Sequence, residues 1–119
     1  MKRLLLIVAI VILGTSGLVV ASETEGNWTG EIVDLACYVP KGAKGPDHAG
    51  CAKSCVKNGQ PMGLLTDDGT LVLLAADHKN GEPYEALKDM AGEIASVVGT
   101  LAEKDGMKVV TVTGSEAAA

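Results

Sequence analysis

All three cysteines of this chain and one of its two histidines fall in one stretch, DLACYVPKGAKGPDHAGCAKSC, residues 34–55. An odd number of thiols cannot all pair within one molecule. At least one of Cys37, Cys51 and Cys55 is therefore free, bridged to another molecule, or bound to something. Pro46-Asp47 is a good helix entry, and Lys57-Asn58-Gly59 a good exit: a cation in the last turn, then glycine where a left-handed cap is wanted. On a helix over 47–57, His48, Cys51 and Cys55 stand at i, i+3 and i+7 and share one face. Cys37 is expected at the end of the preceding strand, and the glycine-rich segment between is flexible enough to bring it onto that face.

Three thiolates and an imidazole make the donor set of a closed Cys₃His zinc site, and thiolates also suit Cu⁺. Cys37, His48, Cys51 and Cys55 are thus the predicted metal ligands, for zinc or copper. The spacing C-x₁₀-H-x₂-C-x₃-C matches no standard finger or ribbon. Nor is it the C-x-x-C-H of covalent c-type haem. Noncovalent haem on His48 or a cysteine is conceivable, but three clustered thiols exceed that need.

Two further readings compete. Outside the cytoplasm, paired cysteines are most often disulfides. A Cys37–Cys51 or Cys37–Cys55 bridge would pin loop and helix to the first strand, and closing a loop of about 15 residues contributes about 3 kcal/mol. That reading leaves one thiol over and makes the chain a stapled structural or interaction protein. Thiol-redox chemistry needs a thiolate of lowered pKa. Lys53 and Lys57 beside Cys51 and Cys55 lend it mild support, but C-x₃-C is not the thioredoxin-like C-x-x-C, and no thioredoxin-type βαβ pattern surrounds it. Asp34 is a candidate acceptor behind His48, or else a solvent-facing strand residue. His78, in AADHKNG, reads as a solvated loop histidine rather than a further ligand.

The compartment follows from the N-terminus. Lys2 and Arg3 precede a charge-free run to Ser22, with Val19 and Ala21 at the −3 and −1 positions of a cleavage site. That is the layout of a secretory signal peptide over residues 1–21. The alternative is an uncleaved anchor touching the membrane through residues 4–21, since about 17 residues is the shortest span. Either way residues 22–119 face the periplasm or the exterior, as one small domain. That domain keeps 8 of the 10 basic and all 15 acidic residues, a formal charge of −7. Such a charge repels phosphate backbones. With no Phe and only Trp28, Tyr38 and Tyr84 as aromatics, a base-stacking platform is missing too, so nucleic acid is excluded as a partner.

The elements that must position the cluster read as five strands. WTGEIVDLAC (28–37) alternates so that Val33, Leu35 and Cys37 share a face. PMGLLT (61–66) and TLVLLAA (70–76) flank the turn Asp67-Asp68-Gly69. IASVVGTLAE (94–103) and MKVVTVT (107–113) flank Lys104-Asp105-Gly106. GEPYEALKDMAGE (81–93) carries Tyr84, Leu87 and Met90/Ala91 at helical spacing, from a start near Pro83. The predicted fold is mainly β with short helices (α+β), a five-stranded Greek-key barrel of OB type; an open five-stranded α+β sheet is the alternative. There is no G-x-S-x-G, H-E-x-x-H, phosphate loop or catalytic carboxylate pair, so a binding module outranks an enzyme and no catalytic residue is assigned. The expected partner is a metal ion, with another exported protein as a second candidate.

From residue 30 onward, GEIVDLACY, HAGCAKSC and GQPMGLLTDDG resemble a group of small exported bacterial proteins of unassigned function. In these a cysteine after the first strand precedes a His-x₂-Cys-Ala-x₂-Cys helix, a G-x-P-x-G-L-L strand and a hairpin. The later V-x-G-x-L and KDGMKVVTV are similar to the last two strands of periplasmic OB-fold proteins. The resemblance implies an OB-like domain with Cys37, His48, Cys51 and Cys55 as its shared positions, and implies no activity.

Overall fold

The computed structural model of the chain describes residues 22–118. The signal-peptide and anchor expectations for residues 1–21 lie outside the described residues. Among those described, no helix is long and apolar enough to cross a membrane.

The elements run β1 (Glu23–Asp34), α1 (Leu35–Lys41), a 3₁₀ turn (Pro46–His48), α2 (Ala49–Lys57), β2 (Met62–Thr66) and β3 (Leu71–Ala76). Then come α3 (Glu82–Leu87), a second 3₁₀ turn (Lys88–Met90), β4 (Ile94–Lys104) and β5 (Met107–Ala117). The strands close into a barrel in the order β1-β2-β3-β5-β4. All neighbours are antiparallel except β3 and β5, which run parallel from Leu73↔Val109 to Ala76↔Val112. That order, with a helix between β3 and β4, is the Greek-key OB arrangement predicted from the sequence. The open-sheet alternative is set aside by closure: β3 pairs β5, so every strand has two neighbours, and the long β1 serves both β2 and β4. Its first part pairs β4 from Glu23↔Ala102 to Glu31↔Ile94, and its last part pairs β2 from Gly30↔Thr66 to Asp34↔Met62.

The core is the barrel interior and one end of it. Ile32, Leu64, Leu74, Val97, Val110 and Val112 point inward from five strands and are almost fully buried. Each such side chain contributes about 1.5–3 kcal/mol relative to exposure. Ala52 and Val56 of α2 join them, with Leu87 and Ala91. Helix α2 is therefore part of the core, laid over the barrel with its inner face apolar and its outer face left for other work.

Several boundaries differ from the sequence reading: β1 begins at Glu23 rather than Trp28, β5 runs to Ala117 rather than Thr113, and two further differences bear on the site. The first strand ends at Asp34 rather than Cys37, because the Asp34 carboxylate accepts the Cys37 N–H at 2.9 Å and starts α1. Asp is among the strongest N-cap residues, and this contact overrides the alternation of Val33, Leu35 and Cys37. Helix α1 ends on Gly42, left-handed at φ 69°, whose N–H reaches the Tyr38 carbonyl at 2.7 Å. Cys37 thus sits in the first turn of a helix. The helix expected over 47–57 likewise begins as a 3₁₀ turn, and His48 is the residue from which α2 departs.

Candidate metal centre

The floor of the site is Asp34, a fully buried residue at the end of β1. Burying a carboxylate is costly unless it is hydrogen-bonded and paired. Here both oxygens are used. Oδ1 accepts the Cys37 amide, and Oδ2 lies 2.9 Å from His48 Nε2. The sequence offered two roles for Asp34, and the structure gives it the one behind His48.

His48 is held on its own side. Its N–H donates to the Gly45 carbonyl at 3.1 Å, and the Gly45 N–H in turn donates to the Glu31 carboxylate on β1. The start of α2 is seated on Gly92, whose φ of +82° disfavours any side chain. A Cβ at Gly92 would come within 2.5 Å of the Ala49 Cα. Gly63 of β2 similarly leaves room for Leu35 of α1. Along α2, Lys53 pairs with Glu93 and Lys57 with Asp89; these are exposed pairs, of small individual worth.

From these two helices the thiols converge. The sulfurs of Cys37, Cys51 and Cys55 all lie within 4.8 Å of one another, and so do the donor atoms of Asp34, Cys37 and His48. Cys37 belongs to both groups. The structure therefore brings the three predicted sulfur ligands together, while His48 joins Cys37 and Asp34 rather than the full set of sulfurs, its ring engaged with Asp34 at 2.9 Å. Cys37 and Cys55 are half-buried and Cys51 is exposed, so the trio is open to solvent along α2. His78 is exposed in the turn after β3 and belongs to neither group.

The surroundings bear on the competing chemistries. All three cysteines are free thiols. Burial, then the Asp34 charge and the neighbouring Cys51, push the Cys37 thiol up, with Lys41 opposing. Burial and then Cys51 push Cys55 up to about 11. A redox enzyme needs the opposite, a thiolate stabilised near neutral pH. Without a cation Cys37 and Cys55 are ordinary protonated thiols. A bound metal reverses this, since coordination deprotonates a thiol outright.

No protein-family model, no curated protein and no solved structure matches this chain. The site stands on its own geometry.

Sequence reasoning missed that Cys37 lies on a helix. A signal for it was present: Asp34 before Leu-Ala-Cys-Tyr and Gly42 just after Lys41 are an N-cap and a C-terminal glycine bracketing one short helix.

Proposed function

We propose that this chain is an exported binding protein that holds one thiophilic metal ion, zinc or copper, at Cys37, Cys51 and Cys55, with His48 held against Asp34 beside them. The observation that carries the reading is the mutual approach of three sulfurs from two helices. Thiols gathered this way, with no disulfide among them and with Cys37 and Cys55 pushed up rather than activated, suit ligation. Binding is favoured over catalysis because Cys37, the thiol beside the His48–Asp34 pair, is pushed up by burial rather than activated. Exposure of Cys51 suits an ion that is passed to another exported protein, whereas a purely structural site would be closed. The N-terminal layout supports export, with cleavage before Ser22.

Elemental analysis and intact mass of the protein recovered from the exported fraction test both halves. The expected result is about one equivalent of zinc or copper per chain and a mass beginning near Ser22. A chain without metal would reject the binding reading. Met1 retained in a membrane fraction would replace the exported form by an anchored one.

A further inference from the structure

Resting on the metal-binding reading above, we infer that the ion is Cu⁺, held by the thiolates of Cys37, Cys51 and Cys55 alone, with His48 outside its coordination sphere. The three sulfurs share a 4.8 Å limit. A metal–sulfur bond of about 2.3 Å places three trigonal sulfurs about 4 Å apart, so the trio closes on an ion by small side-chain rotations. His48 has no such ease. At that limit it joins only Cys37 and Asp34, and its Nε2 is engaged with Asp34 Oδ2 at 2.9 Å. Turning Nε2 to a metal would strip a fully buried carboxylate of its partner, and neither ring nitrogen lies within that limit of all three sulfurs, so Nδ1 does not complete the set either.

In the mixed group the Asp34 carboxylate and the His48 imidazole already satisfy each other, whereas the sulfurs chiefly face one another, with Cys37 also beside Asp34. Zinc in a protein site takes four ligands, and three sulfurs leave it one short. Cu⁺ prefers soft thiolates and is content with three. Binding exchanges three S–H protons for one cation, the protons going to solvent. Cys51 lies in the first turn of α2, whose N-terminal dipole offsets the added negative charge.

The test uses the exported chain, reduced, stripped of metal, and loaded anaerobically with Cu⁺ under ascorbate, or separately with Zn²⁺. X-ray absorption at each metal's edge then reads the coordination shell of the wild type, which needs no variant to fold. The expected copper shell is three sulfurs and no nitrogen at one ion per chain, while Cys51→Ser reduces it to two sulfurs. Zn²⁺ is expected to take a water oxygen as its fourth neighbour. An imidazole nitrogen in either shell, or zinc held by four protein ligands, overturns the all-thiolate Cu⁺ site while leaving metal binding intact. Reduced, folded protein that takes up neither ion overturns both.

Discussion

Asp34 and His48 meet side chain to side chain at 2.9 Å, and each is the residue from which a cysteine-bearing helix departs. Cys37 follows Asp34 by three positions, and Cys51 follows His48 by three. Fixing the two caps to each other therefore fixes the two helix starts, and with them the two cysteines in their first turns. The buried contact holds the thiols in place without itself needing a metal.

That arrangement ranks two substitutions. His48→Ala leaves the Asp34 carboxylate buried with only the Cys37 amide for a partner, and orphaning a buried charged acceptor in this way costs about 2–3 kcal/mol. Asp34→Asn removes the carboxylate itself and keeps both a cap and a polar contact, so a loss of about 1–2 kcal/mol is expected. Urea unfolding of the metal-free variants checks the order. Equal losses would mean that the pair contributes no buried charge to be orphaned.

Gly92 is expected to be intolerant for a reason unrelated to donors. Gly92→Ala puts a side chain at φ +82° and against Ala49, at a cost of about 1–3 kcal/mol. Because Ala49 opens α2, the displacement passes to Cys51 and Cys55, and metal retention falls with thermal stability. A variant that melts as the wild type does would show that the α2 start is not seated there.

The raised thiols give the metal-free protein a pH signature. A group whose pKa is higher folded than unfolded stabilises the fold while both states are protonated, and loses that contribution once the unfolded state ionises first. For Cys55 the ordinary value is 9.0 and the folded value about 11. The melting temperature of the metal-free protein should therefore fall as pH rises through that window, and alkylation of Cys55 should quicken over the same range. The metal-loaded protein, its sulfurs already deprotonated, should show neither change. A flat profile for the metal-free form would contradict the burial of the site.

Much of this was legible beforehand, and the exceptions have one cause. The strands of both hairpins declared themselves through Asp67-Asp68-Gly69 and Lys104-Asp105-Gly106, since turn residues and alternation are local signals. The gathering of Cys37, Cys51 and Cys55 was visible in their spacing. Helix α1 was hidden because Val33, Leu35 and Cys37 continue a strand-like alternation, and the cap that ends it uses an Asp34 whose burial depends on the whole barrel. The direction of His48 was hidden for the same reason. Helical spacing placed it with Cys51 and Cys55, but a buried carboxylate fourteen residues earlier claims its ring.

Counting reactive thiols under native conditions, before and after chelation and without added reductant, tests the central claim most directly. Coordinated thiolates are masked, and removing the ion exposes them. The expected result is that Cys37, Cys51 and Cys55 are all unreactive in the protein as isolated and all three react once the metal is withdrawn. If two of them stay unreactive after chelation and denaturation, appearing only on reduction, they form a disulfide, and the metal centre described here does not exist in this protein.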